Sequence, residues 1–247
     1  MEEFLVEQIH SVFVGSLPSP PIITILWEPK LFLPVSYVVP TENRFHVVPS
    51  TAEENLNKND PKYIRENVWK YAVDTASLKA NEVLARGVEQ NSMRVSDVGA
   101  KYEKEEFMVI GSDTIVVYEN KIYGKPKDKD DAKRILKELS GKTHHVISGV
   151  VILFSNNKNC DYNNTEDAKN VTETKFHATT EVEFDDLTDS VIQAYVETGE
   201  PFDKAGAYGI QGLGGTLVKR INGDYYNVVG FPLNLFCKTI TKLYCEV

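Results

Sequence analysis

Four polar clusters interrupt otherwise apolar text in this sequence: Glu53-Glu54, Lys79, Asp113-Thr114 with Lys125, and Asp203-Lys204 with Gln211. Carboxylates mixed with lysines suit a metal-assisted reaction on a polyphosphate. The acids hold Mg²⁺ or activate water, and the lysines neutralise phosphate charge. Gln211 carries both a donor and an acceptor, a combination able to read the edge of a base. Gly206, Gly209, Gly212, Gly214 and Gly215 leave room for backbone N–H groups to face an anion. Each cluster also has a plain structural reading. A lysine beside an apolar helical stripe commonly snorkels to the surface. Asp203-Lys204 fits a surface pair, and the glycines fit a run of turns. Asp113 is the sharpest case, because Gly111-Ser112-Asp113-Thr114 lies between two apolar, β-branched runs. Burying an unpaired carboxylate costs roughly several kcal/mol, so Asp113 needs a cation, a metal or donors. The alternative is a turn between two strands, with Asp113 bonded to its own backbone.

The elements that must position these residues are read from periodicity. Phe107–Tyr118 and His144–Leu153 are continuous apolar runs, the pattern of strands covered on both faces. Ile22–Leu26 and Phe45–Pro49 read as short strands, the latter followed by the polar loop that carries Glu53 and Glu54. Asp60-Pro61 marks a helix start, with an apolar stripe at Ile64, Val68, Ala72, Ala76, Ala80 and Val83 and Lys79 beside it. Residues 87 to 105 read as a polar surface loop. Lys121–Pro126 closes a hairpin. A helix follows, with Ala132, Ile135, Leu136 and Leu139 on one face, acids in its first turn and Gly141 past its end. Residues 155 to 171 form an Asn-rich loop. Phe176, Ala178, Thr180, Val182 and Phe184 alternate along a strand. Thr188 caps a helix that places Val191 and Tyr195 inward and ends at Gly199. Asn222-Gly223 predicts a two-residue type I′ hairpin. Phe231-Pro232 opens a last helix, with Leu233, Phe236, Ile240 and Leu243 inward. The fold class is α/β.

Composition narrows the partners. The chain has 247 residues, 42% of them hydrophobic, and a net charge of −9. Its acidic residues are scattered, which argues against the basic stripe of a nucleic-acid-binding surface. Three cysteines, Cys160, Cys237 and Cys245, form no ligand spacing. That sparse count points to a reducing, cytoplasmic compartment. The start at Met1-Glu2-Glu3 lacks the positive region of a signal peptide, and no apolar run approaches the ~20 residues of a membrane helix. The His144-His145 pair alternates faces on its strand, which disfavours a shared metal. No Walker loop, HExxH, Gly-x-Ser-x-Gly or dinucleotide fingerprint is present.

In order, the chain carries Ile110-Gly-Ser-Asp-Thr-Ile-Val, Gly124-Lys-Pro and Leu139-Ser-Gly-Lys-Thr-His-His-Val-Ile-Ser-Gly-Val. Tyr195-Val-Glu-Thr-Gly-Glu-Pro-Phe-Asp-Lys-Ala-Gly-Ala-Tyr-Gly-Ile-Gln-Gly-Leu-Gly-Gly and Gly223-Asp-Tyr-Tyr-Asn-Val-Val-Gly-Phe-Pro-Leu complete the series. This series resembles the Maf family of nucleoside triphosphate pyrophosphatases, also called septum-formation inhibitor proteins, from about Phe45 onward. The resemblance implies an ITPase-like fold, with a mixed, twisted β-sheet flanked by helices and a deep cleft between two lobes. It implies hydrolysis of a nucleoside triphosphate to the monophosphate and pyrophosphate with Mg²⁺ or Mn²⁺, in a homodimer; the charge and hydropathy above add the expectation of no nucleic-acid and no membrane partner. Asp113 matches the family's base, which activates water. Glu54, with Asp113, matches the metal contacts. Lys79 and Lys125 match phosphate-binding lysines, and Asp203 and Lys204 match an Asp-Lys-Ala-Gly motif. Thr114 and Gln211 match base-selecting positions of the subgroup acting on dTTP and UTP, some of whose relatives accept modified pyrimidine nucleotides.

The domain so marked spans residues 45–247, and residues 1–44 form an atypical N-terminal segment. The family opens with Ser-x-Ser-Pro-Arg-Arg, whose arginines grip the triphosphate. Here the nearest text is Gly15-Ser-Leu-Pro-Ser-Pro-Pro-Ile22, with neither arginine. Losing two charge-assisted contacts lowers the rate by roughly 10² to 10⁴. Two expectations follow: an active pyrophosphatase, or a catalytically impaired, nucleotide-binding regulatory relative.

Overall fold

The computed structural model describes residues 22–26, 45–47, 50–52, 55–89, 107–155 and 171–245. The Glu53-Glu54 pair, the polar stretch 90–106, the Asn-rich stretch 156–170 and nearly all of the atypical N-terminal segment lie outside the described residues. The chain divides into two compact units. One comprises residues 1–54, 76–112 and 150–175, and the other residues 55–75, 113–149 and 176–247.

The architecture is α/β around a mixed sheet. Its strands are β1 (Ile22–Leu26), β2 (Phe45–Val47), β3 (Phe107–Tyr118), β4 (Lys121–Tyr123), β5 (Thr143–Ser155), β6 (Val171–Phe184) and β7 (Val218–Asn222). Hydrogen-bonded neighbours run β2-β1-β3-β5-β6-β7, with β4 on β3. In the first unit β1 is parallel to both β2 and β3, with Ile22 opposite Phe107 and Leu26 opposite Gly111. In the second unit the β3–β4 and β6–β7 pairs are antiparallel.

Among the described residues, five α-helices accompany the sheet: α1 (Trp69–Glu89), α2 (Lys129–Leu139), α3 (Asp189–Glu197), α4 (Tyr225–Val229) and α5 (Leu233–Cys245). In the second unit, alternate β3 residues feed two cores. Val116 joins Tyr123, Val146, Val182, Phe184 and the inward residues of α2 and α3. Ile115 and Val117 join Tyr63, Tyr71, Ala72 and Ile147. Burial on both faces is why these strands read as unbroken apolar runs. In the first unit Met108, Val109 and Ile110 of β3 and Val150 to Leu153 of β5 are buried, as are Ala76, Ala80 and Val83 of α1.

Local chemistry explains the boundaries. The Asp128 carboxylate accepts the Asp131 N–H at 2.8 Å and caps α2, and Gly141 ends it at φ 64°. Thr188 caps α3 through the Val191 N–H, and Gly199 follows at φ 81°.

Four sequence expectations change. Asp60-Pro61 opens a 3₁₀ turn (Pro61–Tyr63), not the long helix. A second turn follows at Arg65–Asn67 before α1 begins at Trp69. Ile64 is therefore exposed, and Tyr63 fills the core in its place. On α3 Val191 is exposed, while Ile192 is buried. The Asn222-Gly223 hairpin is absent. A type I′ turn needs positive φ at both central residues, and only Gly223 has it, at 130°. The Asp224 carboxylate accepts the Tyr226 N–H at 2.8 Å, so the chain leaves β7 into α4 rather than into a strand. The two-residue turn with both φ positive is Glu119-Asn120, joining β3 to β4. Finally, β3 runs without a break through Gly-Ser-Asp-Thr, which removes the turn reading of Asp113.

Candidate active site

Gly111 stays extended and serves packing. A Cβ there would lie 2.6 Å from the Ala76 carbonyl oxygen and 2.9 Å from the Ala80 Cβ, so glycine lets α1 press on β3. Lys79 sits on the same helix between those alanines and is only 7% exposed. It is a buried lysine and not a snorkelling one. Just upstream of Glu53-Glu54, Ser50 Oγ and Thr51 Oγ1 each donate to the Glu82 carboxylate of α1 at 2.8 Å, and the Thr51 N–H adds a third bond at 3.1 Å. Glu82 thus anchors the chain entering that acidic pair.

In the second unit Asp113 and Thr114 are half-buried on β3. The Thr114 hydroxyl lies 2.8 Å from Ser148 Oγ on β5 and 3.3 Å from the Gly230 carbonyl oxygen after α4. Ser148 is fully buried and held by Asn227 of α4. Its N–H donates to the Asn227 side-chain oxygen at 3.2 Å, and its hydroxyl donates to the Asn227 carbonyl at 3.0 Å. Asn227 Nδ2 donates to the Val146 carbonyl and to Thr180 Oγ1, at 2.9 and 3.0 Å. Both hydrogens of this fully buried amide are used, as a buried polar group requires. Because the Ser148 proton is committed to Asn227, the single Thr114 hydroxyl proton is shared between two acceptors, the nearer Ser148 oxygen and the Gly230 carbonyl.

The other motifs converge by backbone. The Gly206 N–H donates to the Gly124 carbonyl at 3.1 Å, tying the Asp203-Lys204 segment to the turn that carries the exposed Lys125. A Cβ on Gly206, whose φ is 69°, would lie 2.6 Å from Val116 Cγ2 of β3. Lys204 Nζ pairs with Asp203 Oδ1 at 2.7 Å, with both side chains about a quarter exposed (28% and 23%). Gln211 is exposed in the turn after Ile210. Asp113-Thr114, Lys125 and Asp203-Lys204 therefore lie on segments in direct contact within one unit. Lys79 belongs to the other unit, and Glu54 lies outside the described residues.

Sequence reasoning missed the groups behind these residues. Glu200 accepts the Leu213 N–H at 2.8 Å, the Gly214 N–H at 2.9 Å and the Tyr195 hydroxyl at 2.9 Å. Tyr195 Oη also accepts the Gly209 N–H at 3.1 Å. Burial raises the Tyr195 hydroxyl well above its ordinary pKa, so it stays protonated and able to donate. Beside it, Tyr208 is within 2.9 Å of the Nε2 of the fully buried His144. Burial, helped by His145, lowers His144 to about 4 and keeps the ring neutral. The signal for Glu200 was an acid between Gly199 and Pro201, just ahead of the glycines. The signal for Asn227 was an amide inside apolar text.

The chain is similar to known proteins over most of its length. The profile of the family described as Maf-like protein matches residues 40–243. The chain belongs to the Maf-like protein family. Its α/β architecture is the Maf/ITPase-like fold. A "Probable bifunctional dTTP/UTP pyrophosphatase/methyltransferase protein" of Homo sapiens is 43% identical over 201 residues, 81% of this chain and 29% of that protein. The chain thus spans less than a third of that Maf-like relative. A protein of Thermococcus gammatolerans named dTTP/UTP pyrophosphatase is 42% identical over 78% of this chain and 83% of its own length. Another of that name from Clostridium novyi is 44% identical over 67% and 80%.

Among the described residues, no three His, Cys, Asp or Glu side chains gather as a ready metal cage. Mg²⁺ commonly takes one or two carboxylates and completes its shell with water and substrate phosphate. The half-buried carboxylate of Asp113 is a hard oxygen donor that fits this mode. No helix among the described residues is long and apolar enough to cross a membrane.

Proposed function

We propose that this chain hydrolyses nucleoside triphosphates, dTTP and UTP foremost, to the monophosphate and pyrophosphate. The reading is carried by one observation. A chain 42% identical to a protein named dTTP/UTP pyrophosphatase keeps the motif carboxylate Asp113 half-buried on an unbroken strand. In this account Asp113 takes a proton from the attacking water. Lys79 and Lys125 bind phosphate oxygens. The Asp203-Lys204 ion pair borders the same site, and Thr114 and Gln211 read the base. The Ser148–Asn227 network fixes the Thr114 hydroxyl before substrate arrives, so its ordering cost is met on folding rather than on binding. A bound Mg²⁺ or Mn²⁺, held by Asp113 and Glu54, would neutralise charge on the triphosphate. The sparse cysteines suit a cytoplasmic protein, and a homodimer is the assembly the family resemblance implies.

Pyrophosphate and orthophosphate are measured separately from a panel of nucleotides with Mg²⁺. The expected result is pyrophosphate from dTTP and UTP, lost in Asp113→Ala. An unchanged rate in that variant removes Asp113 from the mechanism. The sequence around Pro21 and Ile22 favours a second reading, a nucleotide-binding relative with impaired turnover. That reading predicts a saturable thermal shift with nucleotide and no product. Turnover restored by Pro21→Arg with Ile22→Arg would locate the defect in the phosphate grip.

A further inference from the structure

The glycines between Gly209 and Gly214 do hold backbone N–H groups toward an anion, but that anion is the protein's own. One Glu200 oxygen takes the Leu213 N–H, and the other takes the Gly214 N–H and the Tyr195 hydroxyl. Through Tyr195 Oη the same carboxylate reaches the Gly209 N–H. Both ends of the segment Gly209–Gly214 are thus fastened to one side chain. Inside it, the Gly212 N–H donates to the Gly209 carbonyl at 3.3 Å, closing the turn that presents Gln211.

The glycines fit tightly around this anchor. A Cβ on Gly212 would come within 2.6 Å of Glu200 Oε1. A Cβ on Gly214 would lie 2.5 Å from Tyr195 Oη and 2.7 Å from the Gly209 carbonyl oxygen. Glu200 is itself placed by Gly199 in the left-handed region and by Pro201 after it. Hydrogen bonds from backbone N–H groups to a carboxylate are charge-assisted and directional, so they fix position as well as energy.

We propose that Glu200 is a positioning residue for base discrimination, holding through Leu213, Gly214 and Tyr195 the turn from which Gln211 reads the nucleotide. This rests on the proposed function, in which Gln211 meets the base. Glu200 acts on the shape of the base site and not on the phosphates. Its removal therefore raises KM for the preferred pyrimidine and lowers the preference, while the rate at saturation changes little.

The test compares wild type, Glu200→Ala, Glu200→Gln and Tyr195→Phe as full chains. Pyrophosphate release is measured with dTTP and with dATP. Equilibrium binding of the α,β-imido analogues of both nucleotides is measured alongside, and amide hydrogen exchange is followed at residues 209–214. In Glu200→Ala the expected result is a dTTP:dATP ratio reduced about tenfold, through KM more than kcat, with faster exchange confined to that segment. Glu200→Gln keeps one acceptor and falls between wild type and Ala. An unchanged ratio, or an equal loss for both nucleotides with exchange rising throughout the chain, overturns the proposal and leaves Glu200 a general stability residue. Wild type that binds without turnover overturns only the pyrophosphatase reading, because the ratio is still read in binding.

Discussion

Glycine does two different jobs in this molecule. On β3 and β5, Gly111 and Gly149 are gaps in the side-chain surface that admit a helix. A Cβ on Gly149 would lie 2.5 Å from the Val73 nitrogen and 2.6 Å from the Ala72 carbonyl carbon, backbone that cannot swing aside. Between Gly209 and Gly214, the missing Cβ instead lets the backbone close on one carboxylate and its tyrosine partner. The first arrangement is rigid by packing, and its loss is felt throughout its unit. The second is rigid by hydrogen bonds, and its loss is local. Residues placed by the strands are held by the core itself, while the turn that carries Gln211 is fastened by hydrogen bonds to Glu200 and Tyr195 and within its own backbone.

The sharpest way to break this contrast is Gly149→Ala, which should cost about 3 kcal/mol in denaturant unfolding through backbone overlap. Glu200→Ala should cost about 1 kcal/mol in the same measurement, and equal losses would erase the distinction. Asn227→Ala probes the link between core and site. It strands the Ser148 N–H and the Val146 carbonyl, so about 2 kcal/mol should be lost. If Thr114 reads the base as proposed, the dTTP:dATP ratio should fall as well.

Two smaller effects are read against pH. His144 is held near 4, below an unfolded value near 6.5. Between those values the unfolded chain binds more protons, so stability is full above about 6.5 and falls as pH drops toward 4. His144→Gln should flatten that slope in melting temperature, and an unchanged slope would assign it elsewhere. Burial pushes the Glu138 carboxyl up, but bonds from Lys121, Tyr123 and Arg134 outweigh it and hold it at about 2. Its contribution is present above the ordinary carboxyl value of 4.5 and is lost as pH falls toward 2. Glu138→Gln should change stability at pH 7 modestly, since the cluster is partly exposed, and should remove that acid limb.

Much of this was legible in the sequence because the physics was local. Caps at Asp128 and Thr188, the two-sided burial of β3 and β5, and the inward face of α2 each follow from residues within a few positions of one another. The motif residues Asp113, Thr114, Lys125, Asp203, Lys204 and Gln211 were visible as polar breaks in apolar text. Their supports were not visible, because those bonds join residues distant in sequence. Ser148 and Asn227 are separated by 79 positions, and Thr114 and Gly230 by 116. The Asn222-Gly223 signal misled for a related reason. Asp224 and Thr180 give that turn a helix to enter, and a pairwise hairpin rule sees neither. In turn, Glu119-Asn120 makes the positive-φ turn without glycine, because β3 and β4 pair on either side of it.

The central claim is that Asp113 activates water for attack on a nucleoside triphosphate. Its most direct measurement is single-turnover product analysis with dTTP and Mg²⁺, comparing wild type with Asp113→Asn. This account predicts pyrophosphate and the monophosphate from wild type. In the variant, a rate reduced roughly 10³-fold should accompany retained dTTP binding. Equal rates in the two proteins, or orthophosphate as the first product, would contradict it.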